Sequence, residues 1–232
     1  YAYFYVKKAD ASRIYGLELE HMLSPHNLNF LVYNDTLIEE HITGIPGDEF
    51  IETMLPNCTP SEKSQIAKEF VKFNERCMIR LLGDMRSYNY VIVPTHDFDH
   101  VVYSIRAIDF DQQCFEGKFN VYRPQFFKEN FKMLDLVSEK FEKLSINQYK
   151  LEERSIIAKR LMSYKNRVER LIKAMIADTL STPEHETLLK TKIFEYTNDP
   201  EFLKSKNMGE ILKNALSFVK RNYETENTDI LF

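Results

Sequence analysis

Apolar positions along this chain follow two different periods, and the changes of period mark out its elements. Residues 1–8 are a run of aromatics and β-formers that predicts a strand. Over 10–23, Ile14, Leu17, His21 and Met22 recur at three- and four-residue steps, which predicts a helix. Glu18 lies on that face and Glu20 lies off it. Phe30–Tyr33 and Thr36–Glu40 predict two strands around a turn at Asn34-Asp35. Residues 40–47, with Gly44, Pro46 and Gly47, then break regular structure.

From there the period is mostly helical. A short helix is predicted over 48–55. Thr59-Pro60-Ser61-Glu62 supplies an N-cap, a first-turn proline and a capping-box acid. It opens a long helix striped by Ile66, Phe70, Phe73, Cys77, Met78 and Leu81. Two strands, 90–93 and 101–108, interrupt the helices around a polar turn at 94–100. From Pro124 onward the pattern is nearly all helix. One helix carries Phe126 to Phe141, one long helix carries Ile157 to Met175, a third starts at Thr182-Pro183 and a fourth at Asn207-Met208-Gly209-Glu210.

Composition narrows the class. The chain has 232 residues, enough for a sizeable core, with 44% hydrophobic and 28% charged residues. A net charge of −4 gives no bulk attraction to nucleic acid or to an anionic membrane. Cys58, Cys77 and Cys114 are widely spaced, which argues against a disulfide framework or zinc site and for a cytoplasmic setting. No apolar run approaches the ~20 residues of a membrane span, and no signal-peptide pattern is present. The chain opens at Tyr1 inside a strand, so residues upstream are expected. Arg154, Lys159, Arg160, Lys165, Arg167, Arg170 and Lys173 give the long helix a basic face. Interspersed Glu152, Glu153 and Glu169 predict that this face is solvated. His96, Asp97, Asp99 and His100 form a hairpin tip, expected as a solvated turn rather than a metal cluster. The polar tail 224–229 is expected to fray.

The chemistry concentrates between Leu81 and Asp111. Gly83-Asp84 follows a helix, Asn89 follows Asp84 by five positions, two apolar strands come next, and Asp109 closes the second. Such an arrangement aims two carboxylates and an amide at one spot from loops pinned by buried strands. Phosphoryl transfer needs that: a carboxylate to orient the attacking hydroxyl, and hard oxygen ligands for Mg²⁺. Asp84-x-x-x-x-Asn89 followed by Ile108-Asp109-Phe110 resembles the catalytic loop and metal-binding aspartate of the protein-kinase-like superfamily. Leu82-Gly83-Asp84 and Ile108-Asp109-Phe110-Asp111 are most similar to its bacterial small-molecule branch, the aminoglycoside and choline phosphotransferase-like proteins. Asp-Phe recurs at Asp97-Phe98, so the combination carries the resemblance rather than any one motif. Two positions depart from the pattern: Arg86 stands where the family usually has His, and Asp111 where Gly would complete Asp-Phe-Gly.

The resemblance implies an α+β, two-lobe kinase-like fold. A small strand-rich N-lobe (1–43) would precede a helical C-lobe (44–232), with the catalytic loop at 83–89 and the metal-binding strand end at 108–111. It implies ATP and Mg²⁺ as cofactors, Asp84 as the catalytic residue, and Asn89 and Asp109 as metal ligands. Lys7, or Lys8 as the alternative, would grip the phosphates and pair with Glu18. Backbone groups of the 40–42 linker, at Glu40 and Ile42, would bind adenine. None of the six glycines forms a Gly-rich phosphate loop, and in the family that loop would fall before Tyr1. The expected activity is transfer of a γ-phosphate to a hydroxyl of a small molecule or a protein Ser/Thr. The alternatives are a pseudokinase that senses nucleotide or binds a partner, and a helical interaction protein with no enzymatic role.

Overall fold

A computed structural model describes residues 3–97 and 100–223. The first sheet contains β1 (Phe4–Lys8), β2 (Phe30–Tyr33) and β3 (Thr36–Glu40) in the order β1-β3-β2, all antiparallel. Asn34 takes the left-handed conformation (φ 49°) that the tight β2–β3 turn requires. Register decides which lysine faces inward. Lys7 lies opposite buried Leu37 and Tyr5 opposite buried Glu39, so Lys7 shares the inner face and Lys8 turns outward. Between β1 and β2 runs α1 (Ala11–Leu23), whose cap Asp10 accepts a bond from the Arg13 amide.

The second sheet, β4 (Ile45–Pro46), β5 (Tyr90–Asp97) and β6 (His100–Ala107), is ordered β4-β5-β6. Phe98 and Asp99 lie outside the described residues, and with them the hairpin tip and the second Asp-Phe pair. So does the 224–229 tail. The helix expected over 48–55 is irregular: α2 (Gly47–Glu49) continues as a π-type turn (Phe50–Met54) and a 3₁₀ turn (Leu55–Asn57). Next comes α3 (Pro60–Arg80), opened by the predicted capping box between Thr59 and Glu62.

Among the described residues, five further α-helices follow: α4 (Phe131–Lys140), α5 (Lys143–Ser163), α6 (Lys165–Ala177), α7 (Pro183–Thr197) and α8 (Met208–Asn222). The single long helix expected through Met175 is thus two. The chain breaks at Tyr164 (φ −101°, ψ 20°), which lets α5 pack on α3 while α6 turns onto α8. The mixed α+β character is as expected. Of α1, Leu17 joins a core with α3 and both sheets. Leu19, Met22 and Leu23 join a second core with α5, α6 and α8. The helix of the 1–43 segment is therefore shared with the helical body.

Of the basic face expected to be solvated, Lys159, Lys165, Arg170 and Lys173 are exposed, but Arg154 and the neighbouring Glu153 are buried against α3. Arg154 reaches Glu75 at 2.5 Å, and Glu153 reaches Arg76 at 2.8 Å. On α1, Glu20 is also buried, against the reading that put it off the inward face, and it pairs with Arg80. Arg160 caps the end of α1 through the carbonyls of Met22 and His21 (2.8 and 3.0 Å). Burial alone would raise the Glu20 carboxyl, but Arg80 and Arg76 beside it hold it down at about 2.

Two outcomes follow. Replacing Arg80 with Met strands a buried carboxylate and should lower the unfolding free energy by about 3–5 kcal/mol in urea titration. Adding Glu20→Leu should restore at least half, whereas a loss under about 1 kcal/mol in the single variant would show that the pair does not hold the frame. Glu20 also sets an acid limb. Its folded pKa lies below the unfolded value of 4.5, so protons bind the unfolded chain first as pH falls. Its stabilisation, about 3 kcal/mol at most, is present above pH 4.5 and lost between about 4.5 and 2. Unfolding titrations across that window should show a shallower slope for Glu20→Gln.

Candidate functional site

The site begins where α3 stops. Leu81 adopts the left-handed conformation (φ 55°), ending the helix and turning the chain. Buried Gln113 secures that turn, donating from Nε2 to the carbonyls of Arg80 (2.5 Å) and Leu81 (3.2 Å). The following residues are tied to the return segment: Gly83 N–H donates to Gln112 O, Cys114 N–H to Leu81 O, and Asp84 N–H to Val121 O. Cys114 is buried, and burial pushes its thiol up to about 12, so it is a structural rather than a reactive cysteine.

Asp84 is itself left-handed (φ 58°), a conformation that few non-glycine residues adopt without support. The support is local. Asn89 Nδ2 donates to the Asp84 carbonyl at 2.7 Å, and Arg86 Nε donates to Asp84 Oδ1 at 2.8 Å. Arg86 also reaches Glu129 at 3.0 Å and stacks over Phe127. The side chain at the position of the family histidine is therefore an anchor for the acid. Asn89 also accepts the Ile108 N–H at 3.0 Å, which ties the loop to the segment carrying Asp109. Beneath the loop, buried Asn130 donates to the carbonyls of Met85 and Pro124 and accepts from the Tyr90 hydroxyl. Neither Gln113 nor Asn130 stood out in the sequence, because a buried amide that only ties backbone together belongs to no motif.

Asn89 thus links the Asp84 loop to the segment that carries Asp109. The Asp111 carboxyl is raised by burial first, then by Asp109, Asp10 and Asp84, with Arg13 opposing. Beside these acids an open cleft of about 270 Å³ is lined by Asp10, Ser12, Asp111, Gln112, Phe115 and Leu180.

The expected pairing of Lys7 with Glu18 needs correction. Lys7 pairs with Glu39 at 3.0 Å, not with Glu18. Glu18 is taken by Arg167 of α6 at 2.8 Å, because α1 presents that edge to the helical body. Glu40 is committed to the small sheet: its amide donates to Asn29 O, and its carboxylate accepts from Asn29 Nδ2 at 2.8 Å. Ile42 is a core side chain.

Among the described residues, no group of three or more His, Cys, Asp or Glu is disposed to hold a metal ion. Mg²⁺ does not need one. It takes one or two protein oxygens and fills its octahedron with waters and phosphate oxygens. Asn89, with Nδ2 committed to Asp84, and Asp109, whose carboxylate is one-third exposed, carry the hard oxygen donor types that such an ion takes. Comparison with protein-family models, with curated proteins and with solved structures finds no match to this chain.

The loop's tightness can be tested at Gly47. A Cβ there would lie 2.3 Å from Tyr90 Cε2 and 2.4 Å from the Ser87 carbonyl oxygen. Gly47→Ala should lower stability by about 3 kcal/mol by overpacking the residues that flank Asn89. An unchanged melting temperature would show that the loop has slack.

Proposed function

We propose that the chain is a kinase-like phosphotransferase that uses Mg-ATP and phosphorylates a hydroxyl group. One observation carries the reading: Asn89 bonds the Asp84 carbonyl through its side chain and the Ile108 amide through its own carbonyl, so the three residues picked out by spacing sit on a single loop–strand frame. The inward lysine of β1 adds support, with Glu39 in the orienting part the resemblance gave to Glu18. The order strand, helix, hairpin, linker, long helix, acidic loop and return hairpin is also the one the resemblance implies.

In this reading Asp84 orients the acceptor hydroxyl and takes up its proton, and Arg86 keeps that carboxylate aimed. Asn89 and Asp109 would hold Mg²⁺, which when bound neutralises phosphate charge. Lys7 Nζ binds phosphate oxygens. The acceptor is a hydroxyl of a small molecule or of a protein Ser/Thr.

A second reading is favoured by one feature. Arginines hold both key acids, Arg86 on Asp84 and Arg13 on Asp109, as in a pseudokinase that binds nucleotide without turning it over. Calorimetric titration with ATP, with and without Mg²⁺, separates the two. The enzyme reading predicts Mg-dependent binding that Asp109→Ala weakens at least about tenfold. Asp84→Asn should retain binding and lose about 10²–10³-fold in turnover. Binding indifferent to Mg²⁺ and to Asp109 supports the pseudokinase, and no binding defeats both.

A further inference from the structure

The first turn of α1 carries a cation that the phosphotransfer reading does not use. Arg13 reaches Asp109 Oδ1 at 3.4 Å, Asp111 Oδ2 at 3.9 Å and its own cap residue, Asp10, at 3.4 Å. The arginines that hold the frame make closer contacts, such as 2.8 Å for Arg76–Glu153. One guanidinium is thus divided among three carboxylates, none of them at close range. Its Nε is buried without a hydrogen-bond partner. A buried donor left unmade is unfavourable. Two of its carboxylate partners, Asp10 and Asp111, line the open cleft together with Ser12 and Gln112.

We infer that Arg13 is a latch on the cation site: its guanidinium holds the Asp109 and Asp111 carboxylates and must leave them when a divalent ion binds Asp109. The inference rests on the reading of Asp109 as a metal ligand. Its physics is competition. The guanidinium and the ion want the same carboxylate oxygens, and they repel each other across a few ångströms. Both effects oppose the ion while Arg13 is in place. Release turns the guanidinium toward the cleft, so cation binding and the position of the α1 first turn are coupled.

The test uses Mn²⁺ alone as the probe, without nucleotide, on the full chain, with free Mn²⁺ read by electron paramagnetic resonance. Arg13→Gln should tighten Mn²⁺ binding about tenfold or more. Arg13→Lys, which keeps the charge but loses the planar fork, should tighten it less, and it carries the test if the Gln variant does not fold. Asp109→Asn in either background should abolish the gain. Affinity that is unchanged or weaker in both Arg13 variants overturns the latch. If wild-type Mn-ATP binding is then still lost on Asp109→Ala, the phosphotransfer reading stands without it. Absence of Mn²⁺ binding in every variant also overturns the latch, and the ATP titration decides separately whether the site reading falls with it.

Discussion

The last two turns of α3 carry three ionised side chains that the rest of the molecule is built to satisfy. Glu75 and Arg76 face Arg154 and Glu153 of α5, and Arg80 faces Glu20 of α1. Side chains this deeply buried are unfavourable unless each finds its counter-charge in good geometry. That requirement restricts how α1 and α5 are placed on α3. A helix sliding by one turn would leave several charges stranded together, whereas an apolar contact would tolerate the slide. The pairs therefore act on register more than on net stability. Arg76 extends the restraint to the second sheet by donating to the Ile105 carbonyl.

The consequence is felt one residue beyond the helix. Because α3 is locked in rotation, Leu81 turns the chain at a defined point and Gln113 clamps that turn. Asp84 follows in a left-handed conformation that its neighbours must support. The strained acid, the amide that props it and the aspartate after β6 are then held by backbone bonds between the loop, Ile108 and Val121. Positioning of this kind is most of what phosphoryl transfer asks of a protein. α1 joins the two halves of the arrangement. Its first turn puts Arg13 on Asp109, its middle puts Glu20 under Arg80, and its end is capped by Arg160.

Much of the fold was legible in the chain, wherever a local rule decided the outcome. The capping box at Thr59, the turn at Asn34, strands β2 and β3, and the starts of α7 and α8 at Thr182 and Asn207 depend only on neighbouring residues. That Asn89 lies beside Asp84 was legible from spacing, because five residues after a helix end leave little freedom in where that side chain goes. The errors came where partners are distant in sequence. Arg154 and Glu153 look like a solvated face until α3 is laid against them. Glu18 looks like the partner of Lys7 until α6 brings Arg167 and β3 brings Glu39. The break at Tyr164 is also tertiary, since the heptad-like spacing runs through it and only the different packing of α5 and α6 ends the helix there.

In the proposed enzyme Asn89 and Asp109 hold a divalent ion beside Asp84. Crystals grown with Mn²⁺ and a non-hydrolysable ATP analogue test it most directly, because anomalous scattering locates the ion without reference to activity. The account predicts a peak bonded to Asn89 Oδ1 and the Asp109 carboxylate, with the terminal phosphate next to it facing Asp84. An ion and nucleotide bound elsewhere, or an Asp109 carboxylate still closed on Arg13 with nucleotide present, would contradict it.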